Sequence, residues 1–139
     1  MLKGENGVHV SQIVDELSTD RLLVSEWLEG DKILNFKDAD LEVRNQIAMN
    51  MFRAWYVPLY HYGVIHGDPH LGNYSVREDL SLNLLDFGCI RVFRPDFIKG
   101  VIDLYHALMK DDKAAALDAF ETWGFENLSK DQLYALITW

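Results

Sequence analysis

One stretch limits the fold of this chain more than any other. His66-Gly67-Asp68-Pro69-His70-Leu71-Gly72-Asn73 shows no helical period, and its two glycines and one proline resist regular structure. It reads as a loop. Two short apolar runs follow, Tyr74-Ser75-Val76 and Leu82-Asn83-Leu84-Leu85, with the turn residues Arg77 to Ser81 between them. They read as paired strands. Directly behind them stands Asp86-Phe87-Gly88. A polar loop is thus followed by a hairpin that returns the chain to it with a second acidic turn.

That arrangement suits one chemistry. Phosphoryl transfer from a nucleotide needs a carboxylate to orient or deprotonate the acceptor, and oxygen ligands that hold magnesium against the phosphates. Asp68 and Asn73 are five apart, and Asp86 lies eighteen beyond Asp68. The hairpin folds Asp86 back beside Asn73, within reach of one metal ion. Gly88 lets the backbone turn after the metal-binding Asp. A competing reading takes His66, Asp68 and His70 as a transition-metal cluster. It is the weaker one, because no further His or Cys stands at ligand spacing. For His70 alone, a hydrogen bond bracing the loop is the simpler role.

The flanks predict a mixed α+β chain. Val8 to Val14 alternates apolar and polar residues, and Leu22-Leu23-Val24 follows the polar turn Asp15 to Asp20, which predicts a hairpin. Ile47, Met51, Phe52, Trp55 and Leu59 share one helical face, with a break expected at Pro58. The aromatic group Trp55, Tyr56, Tyr60 and Tyr62 is expected in a core helix. Pro95 opens a further helix striped by Ile98, Val101, Ile102, Tyr105, Leu108 and Met109. Ala114 to Trp123 makes the next, closed by Gly124, and Asp112 suits a helix cap. Ser129 to Gln132 is a capping box that opens a third, with Leu133, Leu136 and Ile137 on one face. It runs to Trp139 without a stop signal, so the chain reads as cut.

Composition excludes some partners. Lys and Arg number 13 against 22 Asp and Glu, a net charge of −9, and the basic residues form no run. A nucleic-acid partner is excluded on that ground. The single cysteine, Cys89, permits no internal disulfide and is expected to be a buried packing residue. The most apolar window, Ile47 to Ile65, holds Asn50, Arg53, Pro58 and His61, which predicts no transmembrane segment.

The loop and the Asp-Phe-Gly turn together resemble the catalytic loop and DFG segment of the protein-kinase-like fold. In particular they resemble the UbiB or AarF-type atypical kinases of ubiquinone biosynthesis. That family's loop commonly reads H-x-D-x-H-P-G-N, matched by His66, Asp68, His70, Gly72 and Asn73, with Leu71 where proline is usual. Leu17 to Gly30, reading L-S-T-D-R-L-L-V-S-E-W-L-E-G, resembles its strand and hinge, and Phe93, Pro95, Leu104 and Asp112 fit its following helix.

The resemblance implies a truncated kinase-like fold. Residues 1–30 would be the last two strands of the small lobe and the hinge, and 31–139 a mostly helical large lobe, incomplete at its end. It implies ATP and Mg2+ as cofactors, with Asp68 as the acceptor-orienting base and Asn73 and Asp86 as magnesium ligands. Backbone groups of Glu26 and Leu28 would contact the adenine, with Ser25 at its rear wall and His66 bracing the loop. The phosphate-covering loop, strand lysine and helix glutamate of the fold have no counterpart here. The fragment alone is therefore expected to be inactive.

Only eight residues, Phe87 to Arg94, separate Asp86 from Pro95, too few for the substrate-docking segment of peptide-directed kinases. A lipid or quinone-pathway small molecule, or plain ATP hydrolysis, fits better than a phosphorylation-gated protein substrate. The implied setting is isoprenoid-quinone biosynthesis with other biosynthetic proteins, cytoplasmic and peripheral to a membrane. Two alternatives stay open: a small-molecule phosphotransferase of the aminoglycoside or choline-kinase type, which shares the loop, and a non-catalytic kinase-like scaffold.

Overall fold

The computed structural model describes residues 1–125 and 129–137 of the chain. They fall into two compact units, Met1–Arg91 and Val92–Trp139. The first is α+β, and the second is built of helices.

The first unit is organised around a long helix, α1 (Leu41–Tyr62), and a four-stranded sheet. The strands are β1 (Val8–Val10), β2 (Asp31–Lys32), β4 (Tyr74–Val76) and β5 (Leu82–Leu84), in the order β1-β5-β4-β2. The predicted hairpin is present as β4 and β5, antiparallel, with Tyr74 opposite Leu84 and Ser75 opposite Asn83. Every residue of both strands is buried. Each strand carries one polar residue at its centre, Ser75 and Asn83, and both are buried with their apolar neighbours. Val8, Ile47, Ala54, Tyr74, Val76, Leu82 and Leu84 form the core. Leu82 and Val76 are almost wholly withdrawn from water, and each contributes about 1.5–3 kcal/mol by burial.

The amino-terminal hairpin is corrected. β1 is only three residues long, and its partner is β5, in parallel, with Val8 opposite Leu82. The chain does double back, since Val14 N–H donates to Val24 at 2.9 Å and Glu26 N–H to Gln12 at 2.8 Å. Yet the Ile13–Ser25 contact stays a single bridge, and the 3-10 turn at Asp15–Leu17 lies within the predicted connection. The buried edge of β5 offers Val8 both hydrogen bonds and core contact, which the local pairing does not match.

Pro58 does not break α1. The helix runs four residues beyond it and ends at Gly63, whose φ of 67° makes a left-handed cap and whose N–H donates to Leu59 at 2.9 Å. Pro58 and Leu59 are both buried, so packing offsets the lost backbone bond. The aromatic residues of α1 divide. Trp55 packs against the core and donates its indole N–H to Tyr74 at 2.8 Å, whereas Phe52, Tyr60 and Tyr62 are exposed. Beyond α1, β3 (Val64–His66) pairs with β6 (Ile90–Val92) in a second small sheet.

The second unit holds α2 (Pro95–Met109), α3 (Lys113–Thr122) and α4 (Lys130–Ile137), close to the predicted helices. Pro95 takes the first helical position, Asp112 caps α3 by accepting from Ala115 N–H at 3.0 Å, and Gly124 is left-handed at φ 94°. Gly100 is where α2 and α3 meet closely, since a Cβ there would lie 3.3 Å from Ala119 O. The capping box forms reciprocally: Ser129 N–H donates to Gln132 Oε1 at 2.8 Å, and Gln132 N–H to Ser129 Oγ at 3.3 Å. The Leu133 and Ile137 side chains and Trp139 lie outside the described residues, and Leu136 is exposed.

Candidate functional site

β3 delivers His66 into the loop, and the ring is buried. Its Nδ1 accepts from Asp68 N–H at 3.3 Å, so Nε2 carries the proton and donates to the carbonyl of Asp86. One imidazole therefore ties the loop to the Asp-Phe-Gly turn. The Phe87 ring meets it edge-on, with centroids 6.0 Å apart. Gly67 adds a second tie, donating N–H to Cys89 O at 2.8 Å. A Cβ on Gly67 would fall 2.5 Å from that oxygen, so the approach requires glycine.

Asp68 is half-buried and held on both oxygens. Asn73 Nδ2 donates to Oδ2 at 2.8 Å, and His70 N–H to Oδ1 at 3.2 Å. The Asn73 amide foremost, then the His70 backbone, holds the Asp68 carboxyl below the ordinary carboxylate range. At neutral pH it is therefore ionised. His70 braces the loop by accepting from Gly72 N–H on Nδ1 at 3.0 Å, capping the 3-10 turn Leu71–Asn73.

The hairpin sets the next relationship. Leu85 N–H donates to Asn73 O at 3.0 Å, which carries the hairpin pairing on to Asn73 and Leu85, the residue before Asp86. Asp86 is exposed, and its Oδ1 accepts from Gly88 N–H at 2.7 Å. With the Asn73 nitrogen engaged by Asp68, its amide oxygen remains, and Asp86 has a second carboxylate oxygen. Such hard oxygen donors fit magnesium. Among the described residues, no group of three or more His, Cys, Asp and Glu side chains is arranged to hold a metal ion.

Ser25, Glu26 and Leu28 line a cleft of about 840 Å³, faced by His70, Gly72 and Leu85. Glu26 N–H donates to Gln12 O at 2.8 Å. Asp68, Asn73 and Asp86 are not among the lining residues, although Gly72 and Leu85 are their chain neighbours. Cys89 is exposed, correcting the expectation of a packing cysteine: its carbonyl, not its side chain, makes the structural contact.

Sequence reasoning missed a polar group under the cleft. Asn83 is fully buried, and its Nδ2 donates to Glu29 O and to Ser75 Oγ, each at 2.9 Å. An Asn inside an otherwise apolar buried strand was the available signal, since such a group must find partners.

Several known proteins are similar to this chain. A chloroplastic aarF domain-containing protein kinase of Arabidopsis thaliana is 37% identical over 123 residues, covering 87% of this chain and 17% of that protein. The mitochondrial atypical kinase COQ8B of Danio rerio is 30% identical over 118 residues, covering 84% of this chain and 19% of that protein. This chain thus spans about a fifth of the length of those relatives. The fold is also that of the Rv3197–erythromycin complex from Mycobacterium tuberculosis, with a TM-score of 0.70 at 21% identity over 96% of this chain and 35% of that one. No helix among the described residues is long and apolar enough to cross a membrane. Residues 1–120 match the ABC1 atypical kinase-like domain, and the chain belongs to that family.

Proposed function

We propose that this chain carries the catalytic loop, metal ligands and adenine wall of an ATP- and magnesium-dependent kinase or ATPase that supports isoprenoid-quinone biosynthesis. The observation that carries the reading is the Asp68–Asn73–Asp86 grouping. Asp68 is kept ionised by the Asn73 amide, and the Leu85–Asn73 backbone bond, one residue before Asp86, supports their grouping. Asp68 orients the acceptor and takes its proton, while Asn73 and Asp86 hold magnesium. The ion would neutralise charge on the phosphates. Ser25 and the backbone of Glu26 and Leu28 receive the adenine, and their shared cleft supports this.

Kinase is the word in the names of the Arabidopsis and Danio relatives, and the quinone setting follows from the resemblance of the loop and hinge. A lipid-linked or quinone-pathway acceptor, and a cytoplasmic position beside a membrane, belong to the same reading. The test is a titration of the complete gene product with a fluorescent ATP analogue, with and without Mg2+, for wild type and Asp86→Asn. Magnesium should tighten binding to wild type and do little for Asp86→Asn. Equal affinity in all four conditions would sink the reading.

A further inference from the structure

The segment Ser25–Gly30, which walls the cleft, belongs to no strand or helix and is mostly exposed. It runs directly into β2, which pairs with β4, and two further hydrogen bonds hold it. At one end Glu26 N–H donates to Gln12 O at 2.8 Å. At the other, Glu29 O accepts from Asn83 Nδ2 at 2.9 Å. The same Asn83 nitrogen donates to Ser75 Oγ, so the pair Ser75–Asn83 that faces across β4 and β5 is also the seat of the segment. Gly30 presses directly on it. A Cβ there would stand 2.7 Å from Ser75 Oγ, 2.9 Å from Asn83 Nδ2 and 3.0 Å from Val76 O. Only glycine permits that approach.

This seat lies on the hairpin that carries the chemistry. Asn73 precedes β4, Asp86 follows β5, and Leu85 between them faces the cleft. The tether from Asn83 to Glu29 therefore joins the cleft wall to that hairpin from within the core, beside the β2–β4 pairing that begins at Asp31. Asn83 is wholly buried, so its amide has no water to turn to and its donors are committed.

We propose that Asn83, seated with Ser75 under Gly30, is a positioning residue for nucleotide binding, holding the Ser25–Gly30 wall in register with the metal ligands. This rests on the nucleotide reading above. Asn83→Asp keeps the side chain's shape and removes both N–H donors, placing a carboxylate against the Glu29 carbonyl. Ser75→Ala removes one acceptor and leaves the Glu29 tether in place.

The experiment measures two quantities on the complete gene product at a temperature where each variant is folded: the Kd for a fluorescent ATP analogue with Mg2+, and amide hydrogen exchange over residues 25–30. Asn83→Asp should weaken the analogue about ten-fold and speed exchange in that segment. Ser75→Ala should stay within about two-fold, because the Glu29 tether survives. Ile47→Val, a core change on α1 away from the segment, controls for general destabilisation and should leave both quantities unchanged. A wild-type Kd in Asn83→Asp overturns the positioning role, as does equal weakening in Ile47→Val. Absence of binding in wild type and every variant alike overturns the nucleotide reading itself, and removes the positioning role with it.

Discussion

The Asn73 side-chain amide donates to Asp68 Oδ2 at 2.8 Å, closing the six-residue loop Asp68 to Asn73 on itself. Replacing the amide by a carboxylate turns attraction into repulsion. In Asn73→Asp the two carboxylates face each other, and both are charged only above the ordinary carboxylate range. The loss in melting temperature relative to wild type should therefore be larger at pH 8 than at pH 4, where one proton can be shared. Asn73→Ala should show a loss of similar size at both. Thermal unfolding of the three proteins at the two pH values checks this, and a pH-independent deficit in Asn73→Asp would count against it.

His66 links two segments through one ring, accepting from Asp68 N–H and donating to Asp86 O. His66→Ala leaves both backbone groups without that partner, in a site where the native ring is buried. A cost of about 1–3 kcal/mol is expected, with amide exchange rising at residues 86–89 before the rest of the chain. Urea unfolding with site-resolved exchange measures both. Uniform acceleration across α1 and the sheet would mean that the ring supports the fold generally and not this link.

The loop, the hairpin and Asp86 were legible because their evidence is local. Gly67, Pro69 and Gly72 oppose a continuous helix or strand, and the short span between Asn73 and Asp86 leaves a hairpin as the simplest path. Ser25, Glu26 and Leu28 were singled out only through resemblance, since nothing in the periodicity of Ser25 to Gly30 marks a cleft wall. The pairing of β1 was not legible. Val8 lies opposite Leu82, and an alternating pattern states that a strand exists without naming its partner. Pro58 misled for a related reason: local chemistry opposed the helix, and burial of Pro58 and Leu59 overrode it. The Asn83–Glu29 tether joins residues 54 apart, which a sequence pattern cannot anticipate.

Two left-handed positions should respond oppositely to exchange. Asp111, in the turn between α2 and α3, has φ 51° and is exposed, so it bears strain without packing to offset it. Asp111→Gly should raise stability by a few tenths to about 1 kcal/mol. Gly124 has φ 94°, a conformation that a side chain resists even though nothing lies within 4 Å of a Cβ there. Gly124→Ala should cost about 1 kcal/mol or more. Denaturant midpoints of the two variants decide the matter, and shifts of the same sign would refute the backbone argument.

Asp79 makes the β4–β5 turn sensitive to acid. Its Oδ1 accepts from the Ser81 hydroxyl and from Ser81 N–H at 3.0 Å. The Ser81 hydroxyl first, then its backbone, holds the Asp79 carboxyl below the ordinary range; burial opposes slightly, and the nearby His9 and Arg77 add to the lowering. A carboxyl whose value is lower folded than unfolded stabilises the fold fully above the unfolded value, about pH 4. That contribution is lost as pH falls through the folded value. Asp79→Asn keeps an oxygen acceptor and has no proton to gain, so wild type should be the more stable at pH 7 and lose its margin on acidification to about pH 3. Urea midpoints of both proteins at the two pH values measure the margin. A margin that persists undiminished at the lower pH would show that Ser81 does not favour the charged form.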